Sequence, residues 1–367
     1  MRISFILSSL QLSGGVQVVA EYANRLTMRG HQVTLIAPGG TLSDTMLGEL
    51  IPGVTVRSSR VGFKSHAGLV WMARLAWSLA RAVPPSDVVI STHTPTTAVG
   101  LLAGHLLKRG RLVWLYQDYR EMFVGRPFEG WLLRHALRWH ECALTDSDYC
   151  RRELSSYTPG KVIVVGIGLS HPELLQPRSI QSLRTPGNQK TILFVGDARP
   201  RKGLQDFLQA AGEVYEQAKD IRLQIVSKED LQLDCRVPFE YVHLPTRAEL
   251  MGLFADCDLY VSASWREGFG LPPLEAMGCG APVVLTDSGG VREYAQHEVN
   301  CLMVPTRDPQ ALAEAMLRVL NDAALEKRLR TNGPLTAVGF TWDSAVDRFE
   351  RALLDLFEKK GTPSSGS

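Results

Sequence analysis

Short apolar runs alternate with amphipathic stretches along almost the whole chain, and this alternation restricts the folds that it can adopt. Apolar residues recur at helical spacing between Val16 and Leu26, which predicts a helix over Val16–Arg29. The first half contains strand candidates at residues 2–7, 32–37, 87–91, 111–116, 142–146 and 161–165. Strands that alternate with helices in this way are typical of parallel sheets covered by helices, the α/β class.

The alternation stops once, which divides the chain into two parts. Residues 171–190 are polar and contain prolines, as expected for a linker. A second series of strand candidates follows at 191–195, 221–226, 240–243, 259–261 and 282–285. At roughly 100–200 residues per domain, 367 residues favour two domains. We predict an N-terminal domain over 1–170 and a C-terminal domain over 186–342, with a helix over 343–360 that packs back on the first.

Each domain is predicted to be doubly wound, and this fold predicts where a ligand binds. Open α/β sheets bind ligands beyond the carboxyl ends of their strands. We therefore expect a cleft between the two domains, with one reactant held by each.

The composition excludes several classes of protein. With 45% apolar and 21% charged residues the chain is not disordered. No window reaches the roughly 18 to 20 apolar residues of a membrane span, and the closest, Leu69–Val83, carries Arg74 and Arg81. The run over 2–7 is too short for a signal peptide. The six cysteines form no C-x-x-C pair and have no zinc spacing, so we expect reduced thiols in a cytoplasmic protein.

Charge is distributed unevenly around a net value of only +2. Residues 1–172 hold 18 Lys and Arg against 11 Asp and Glu, which gives +7, and the remainder hold 22 against 27, which gives −5. The basic half also contains five of the seven tryptophans: Trp71, Trp77, Trp114, Trp131 and Trp139. This pattern predicts a peripheral contact with an anionic membrane surface. Chance variation and tryptophans packed in a core are the alternative, and no nucleic-acid partner is expected.

The segment E-G-F-G-L-P-P-L-E, from Glu267 to Glu275, has the strongest chemical signal. Its two prolines suit the first turn of a helix, so we predict a helix that starts near Leu271. Gly268 and Gly270 allow the backbone to approach a ligand closely. The loop then directs N–H groups at phosphate or sugar oxygens, and carboxylates can accept from paired sugar hydroxyls. An exposed loop with two solvated glutamates is the alternative.

These residues resemble the family-4 retaining glycosyltransferases of the GT-B fold. The E-x7-E spacing matches, and so do four other segments in order: 13–17 (SGGVQ), 276–284 (AMGCGAPVV), 289–293 (GGVRE) and 340–342 (FTW). The resemblance implies two Rossmann-like domains facing each other across a cleft. It also implies transfer of a hexose from a nucleotide diphosphate sugar to an acceptor hydroxyl, in glycan, glycolipid or glycosylated metabolite biosynthesis.

The resemblance also implies roles in the donor site. Glu275 would hold the ribose, and Glu267 would hold the transferred sugar together with Gly268, Phe269, Gly270 and Leu271. Lys202 matches the family lysine that binds the diphosphate. Asp197 stands where the family has an arginine, so Arg199 or Arg201 is predicted to substitute, because an arginine can bridge two phosphate oxygens.

The first half contributes further candidates. Gly14 and Gly15 open the first predicted helix and are donor-binding candidates, with Gln17 beside them as an acceptor-binding candidate. Gln117 and Asp118 follow a strand in W-L-Y-Q-D-Y-R-E-M-F, a segment similar to one in a subgroup that contains rhamnosyltransferases, with Arg120 in place of its glutamate. We predict acceptor binding for Gln117 and a catalytic role for Asp118. His93 also follows a strand and is a catalytic candidate, although a lone histidine is more often a packed or surface residue.

Two D-x-D sequences resemble the metal motif of the other large glycosyltransferase fold. Asp146–Asp148 enters a helix and reads as a helix cap, and Asp256–Asp258 precedes a strand. We therefore predict neither a required metal nor a cofactor. A nucleotide-sugar epimerase of the same fold and a non-catalytic nucleotide-sugar-binding subunit are the alternative functions.

Overall fold

The computed structural model describes residues 1–11, 13–41, 43–62, 68–177, 189–231 and 233–358. They form two compact units. The first unit comprises Met1–Gly168 and the chain from Trp342 onward, and the second comprises Leu169–Thr341. Residues 178–188 of the predicted linker lie outside the described residues.

A sheet of seven parallel strands forms the centre of the first unit. The strands are β1 (Arg2–Ile6), β2 (Gln32–Gly39), β3 (Thr55–Gly62), β4 (Val88–Ser91), β5 (Arg111–Tyr116), β6 (Cys142–Thr145) and β7 (Val162–Val164). Their order is β3-β2-β1-β4-β5-β6-β7, which places β3 at one edge. The central strands are buried, as parallel strands covered by helices should be.

Seven α-helices accompany this sheet in the described part of the first unit. They are α1 (Gly14–Met28), α2 (Asp44–Gly48), α3 (Leu69–Ala82), α4 (Thr96–Leu101), α5 (Pro127–His135), α6 (Asp148–Tyr157) and, from the end of the chain, α12 (Trp342–Glu358). Helix α12 packs on α1 and β1. The ring centroid of Phe349 is 4.3 Å from that of Tyr22 and 6.2 Å from that of Phe5, so the last helix completes the first core.

The second unit has a six-stranded parallel sheet in the order β10-β9-β8-β11-β12-β13. The strands are β8 (Lys190–Val195), β9 (Ile221–Ser227), β10 (Phe239–His243), β11 (Leu259–Ser262), β12 (Val283–Thr286) and β13 (Leu302–Val304). The α-helices are α7 (Leu204–Gln217), α8 (Arg247–Asp256), α9 (Leu271–Gly278), α10 (Pro309–Asn321) and α11 (Ala323–Ala337). Both sheets reverse their strand order beside the first strand of the unit, which is the Rossmann pattern. The prediction of two Rossmann-like domains is confirmed.

Three details differ from the sequence predictions. Strand β3 was not predicted, because its residues are mostly polar and exposed at the sheet edge. Strand β13 was not predicted, because it has only three residues. Helix α1 begins at Gly14 rather than Val16, with Ser13 as its N-cap. Trp114 is fully buried in the core, so it contributes nothing to the predicted membrane surface. Within the described residues, no helix is both long enough and apolar enough to cross a bilayer.

Candidate functional site

The loop that carries Glu267 is fixed by backbone contacts to the segment after β12. The Glu267 amide donates to the Ser288 carbonyl at 2.8 Å, and the Gly290 amide donates to the Glu267 carbonyl at 3.0 Å. A Cβ on Gly290 would lie 2.0 Å from the Gly268 carbonyl oxygen. Gly290, the second glycine of the segment G-G-V-R-E, therefore permits an approach that no side chain would allow, and this approach fixes the Glu267 loop.

Helix α9 starts where the prolines predict. Gly270 is its N-cap, with a φ of 85° that favours glycine, and its carbonyl accepts from the Tyr294 hydroxyl at 2.5 Å. Pro272 and Pro273 have no N–H, so the amide donors of this helix start come from Leu271 and the residues before it. The positive end of the helix therefore lies directly after Glu267 in the chain.

Two cations from the turn after β8 meet Glu267. Lys202 Nζ is 2.7 Å from Oε1, and Arg201 Nη1 is 3.6 Å from Oε2. Gly203, which follows them, has a φ of 66°, and a Cβ there would lie 2.0 Å from the Ala263 carbonyl oxygen. The Trp265 amide donates to the Arg201 carbonyl at 2.7 Å. The turn is thus held against the residues that precede Glu267.

This arrangement keeps the Glu267 carboxyl ionised. Burial raises its pKa, but the charges of Lys202 and Arg201 outweigh burial and leave the pKa below the ordinary glutamate value of 4.5. A buried carboxylate beside two cations can accept hydrogen bonds from sugar hydroxyls, and the cluster retains one excess positive charge.

Arg199 has a different partner from Arg201. Its Nε donates to Asp197 Oδ1 at 2.8 Å and its Nη2 donates to Oδ2 at 2.5 Å, a bidentate pair. Burial raises the pKa of Asp197, yet the Arg199 guanidinium outweighs it and the pKa stays below 3.8. The reversed charge at Asp197 is thus balanced locally, and Arg201 is the arginine that the structure brings to Glu267.

Glu275 has a partner that the sequence analysis missed. Its side chain is buried in α9, and Oε1 accepts from Arg247 Nη2 at 2.5 Å. Burial raises the pKa of Glu275 above 4.5 although Arg247 opposes the shift. Arg247 is the first residue of α8, and no spacing rule links it to a glutamate 28 positions later. Only the packing of α8 against α9 reveals the pair.

The first unit holds a second cluster at the start of α1. His93 Nδ1 is 3.0 Å from Asp118 Oδ1, and the Thr94 amide donates to Asp118 Oδ2 at 2.5 Å. A Cβ on Gly15 would lie 3.3 Å from His93 Cε1 and 3.4 Å from Gln117 Oε1. The structure thus brings together four of the residues predicted from separate segments.

The Asp118 carboxylate controls the charge of His93. Burial lowers the pKa of the imidazole, but Asp118 outweighs it and the pKa rises above 6.5. Burial also raises the pKa of Asp118, and His93 outweighs it, which leaves that pKa below 3.8. A fully buried carboxylate therefore orients the ring and stabilises an imidazolium beside Gly15.

The remaining candidates lie at the start of α1 and in the two D-x-D sequences. Gly14 and Gln17 lie in the first turn of α1. In the first D-x-D sequence Ser147 is the N-cap of α6, and Asp148 pairs with Arg151 and Arg152. In the second, Asp258 accepts from the Thr191 amide at 2.7 Å. Among the described residues, no group of three or more His, Cys, Asp or Glu side chains is arranged to hold a metal ion.

Two family models match this chain. One described as Glycosyltransferase Family 4 covers residues 12–170, and one described as Glycosyl transferases group 1 covers residues 189–322. An uncharacterized glycosyltransferase of Methanocaldococcus jannaschii is 26% identical over 91% of this chain and 92% of its own length. A phosphatidyl-myo-inositol mannosyltransferase of Mycobacterium leprae is 26% identical over 96% of both chains.

Solved structures of other proteins share the fold of this chain. Sucrose-phosphate synthase from Thermosynechococcus elongatus matches with a TM-score of 0.81 and 17% identity, over 98% of this chain and 99% of its own. Anabaena HepE in complex with UDP and glucose matches with a TM-score of 0.76 and 19% identity, over 97% of this chain and 100% of its own. Likeness at this level of identity shows a shared fold.

Proposed function

Because the chain belongs to the family-4 glycosyltransferases of the GT-B fold, we propose that it transfers a hexose from a nucleotide diphosphate sugar to an acceptor hydroxyl with retention of configuration. One observation carries the proposal: the largely buried Glu267 carboxylate contacts Lys202 through one oxygen and Arg201 through the other, three residues before Gly270, the N-cap of α9. Retention is the part that depends on the E-x7-E resemblance.

The cations serve the leaving group. As the bond between the sugar C1 and the phosphate oxygen breaks, its electron pair stays on the diphosphate, whose negative charge grows. Lys202 and Arg201 carry two positive charges and Glu267 carries one negative charge, so the cluster stabilises the developing negative charge of the diphosphate. Amides at the start of α9 add donors without any reorganisation.

Glu267 orients the sugar. An ionised carboxylate is an acceptor only, so it accepts from hexose hydroxyls rather than donating a proton. The acceptor oxygen forms its bond to C1 on the face that the phosphate leaves, and the departing phosphate oxygen takes the acceptor proton. This path needs no separate base on that face.

Glu275 is proposed to bind the ribose. Arg247 already uses Oε1, so a ribose hydroxyl would donate to Oε2. The pair with Arg247 keeps the carboxyl in place, and it offsets part of the effect of burial on the pKa.

The cluster of the first unit is proposed to act on the acceptor side. Asp118 orients the His93 ring through Nδ1 and favours the imidazolium, in which Nε2 is a donor beside Gly15. Gln117 and Gln17 supply further polar groups for the acceptor, and Gly14 and Gly15 let the donor approach α1.

Arg199 has an indirect role in the second unit. It neutralises Asp197, which lies near the cations that are proposed to bind the donor diphosphate.

We also propose that the reaction requires neither a metal nor a cofactor, because Lys202 and Arg201 supply the positive charge themselves. Full turnover in the presence of a chelator is the expected result. HepE was solved with UDP, and relatives include D-inositol 3-phosphate glycosyltransferases. Uridine donors and inositol phosphates therefore come first in the tests.

A two-stage experiment tests the proposal. Thermal shifts with uridine, thymidine and guanosine diphosphates and their sugars identify the donor, because a ligand that binds the folded state raises its apparent stability. Release of nucleotide diphosphate is then measured with and without acceptors. Release that depends on acceptor supports a transferase. A donor sugar that changes without net release indicates an epimerase, and binding without any turnover indicates a non-catalytic subunit.

A further inference from the structure

A long stretch of the first unit contains no acidic residue. Between Glu49 and Asp87 the sequence has no Asp or Glu, but it has five basic residues: Arg57, Arg60, Lys64, Arg74 and Arg81. In the described part of this stretch, β3 lies at the edge of the sheet and α3 packs beside it. The surface formed by β3 and α3 therefore carries charge of one sign.

A groove of about 640 Å³ runs between these two elements. Arg57 and Arg60 line it from β3, and Arg74, Trp77 and Arg81 line it from α3. A hydrogen bond from the Val61 amide to Ser78 Oγ at 3.3 Å joins strand and helix within the groove lining. We call this feature the β3–α3 groove.

The four arginines of the β3–α3 groove have no ion pair with any carboxylate in the described part of the chain. Elsewhere in the same unit, by contrast, Arg151 and Arg152 both pair with Asp148. Like charges gathered without counter-charges produce a local positive potential that attracts anions. The groove is thus complementary to a ligand or surface with several negative charges.

Apolar side chains extend the same surface toward the start of α3. The exposed fractions are 83% for Leu69, 77% for Val70 and 46% for Met72. Val70, Arg74, Trp77 and Arg81 follow one another at helical spacing, so they share one side of α3. The opposite side, with Leu79 and Ala80, is buried in the core of the unit. The outward side of α3 is therefore both apolar and basic.

We infer that the β3–α3 groove docks the protein on a membrane surface rich in anionic lipid, where lipid headgroup phosphates occupy the groove. This inference rests on the proposed function, because it places the acceptor at that surface. A soluble phosphate compound would satisfy the arginines but leave Leu69, Val70 and Trp77 in water. A bilayer interface accepts basic and apolar residues of one helix together.

Vesicle flotation of the full chain tests the inference. The vesicles contain phosphatidylcholine alone or mixed with phosphatidylserine. We expect binding only to the anionic vesicles, and weaker binding as salt rises. The double variant Arg74→Gln/Arg81→Gln should bind about 30-fold less tightly. The matched control Arg151→Gln/Arg152→Gln removes the same charge from the same unit and should bind like the wild type.

Three results would overturn the inference. The wild type could remain with the soluble fraction at low salt, or both double variants could lose binding equally. Titration with inorganic phosphate could also show saturable binding that Arg74→Gln/Arg81→Gln abolishes while vesicles bind nothing, which would assign the groove to a soluble phosphate compound. Donor binding, measured by thermal shift without vesicles, reports on the proposed function separately. A chain that binds donor but not vesicles refutes only the docking.

Discussion

Lys202 Nζ and Glu267 Oε1 lie 2.7 Å apart, although 65 positions of sequence separate the two residues. Both side chains are more than four-fifths buried. The site thus holds an assembled pair of opposite charges, in which Glu267 fixes the position of the lysine ammonium group. A diphosphate that binds there competes with Glu267 for Lys202, and Arg201 makes the sum of charges favourable to it.

Replacing Glu267 with glutamine should lower turnover more than donor binding. The change removes the charge that faces the sugar but preserves the shape of the side chain. Charge-assisted hydrogen bonds contribute roughly 1.5–3 kcal/mol each, so we expect kcat to fall about 10- to 150-fold. Steady-state kinetics measures this, with Glu298→Gln on the surface of the same unit as control. Full turnover of Glu267→Gln would remove this residue from the catalytic group.

Replacing Glu275 with glutamine should instead raise the donor KM, by about 10-fold or more. The neutral amide accepts more weakly from a ribose hydroxyl and from Arg247. Because the pKa of Glu275 is raised above 4.5, donor affinity of the wild type should also fall as the pH is lowered through that pKa. Steady-state kinetics measures the donor KM, and titration calorimetry across pH measures the donor affinity. An unchanged donor KM in Glu275→Gln would contradict the ribose assignment.

The two arginines near Asp197 should differ in importance. Arg201→Met should impair turnover nearly as much as Lys202→Met, because both side chains face Glu267. Arg199→Met should have a smaller effect, since its guanidinium neutralises Asp197. Nucleotide diphosphate release measures all three, with Arg318→Met as a surface control. If Arg201→Met retains full activity while Lys202→Met has none, the lysine alone serves the diphosphate.

The prediction for Gly15 concerns space rather than charge. In Gly15→Ala the new methyl group would crowd His93 and Gln117 at 3.3 and 3.4 Å, so kcat/KM should fall. Gly14→Ala should cause a smaller loss, because a Cβ there meets no other atom within 4 Å. Kinetics of the two variants, with circular dichroism to verify folding, measures the difference. Equal losses would show that the contact with His93 and Gln117 does not matter.

His93 and Asp118 should make stability depend on pH. The pKa of His93 is raised in the folded state, so its contribution is fully present below 6.5 and is lost as pH rises through the folded value. The pKa of Asp118 is lowered, so its contribution is lost only as pH falls through a value below 3.8. Urea unfolding of the wild type should show this loss above pH 6.5, whereas His93→Gln and Asp118→Asn should both lack it. Parallel profiles for all three proteins would contradict the coupling.

The sequence predicts the elements of the site better than the partners of its side chains. The prolines at 272 and 273 predict the start of α9, because their missing N–H groups suit only a first helical turn. Arg247 could not be assigned to Glu275 in this way, because the pair arises from helix packing. The sequence likewise does not show that Arg199 pairs with Asp197 while Arg201 lies near Glu267, because these contacts depend on the direction of the Asp197 side chain.

The sequence also does not show which tryptophans are exposed on the surface. Trp77 and Trp114 both occur in segments that mix aromatic and apolar residues, yet the first is exposed and the second is entirely buried. The difference arises because Trp114 belongs to a central strand and Trp77 to the outward side of α3. Composition therefore predicts that a surface is basic without showing which residues form it.

The packing of α12 on α1 has a consequence for how the protein is made. Phe349 leaves the ribosome 327 residues after Tyr22, which is about 15 to 65 s at ordinary rates of translation. During that time the first core lacks its last aromatic ring, while the whole of the second unit is synthesised and can fold. The nascent first unit therefore lacks the cover that Phe349 gives to Tyr22 and Phe5 until the end of synthesis, and this uncovered face is where we expect chaperones to act.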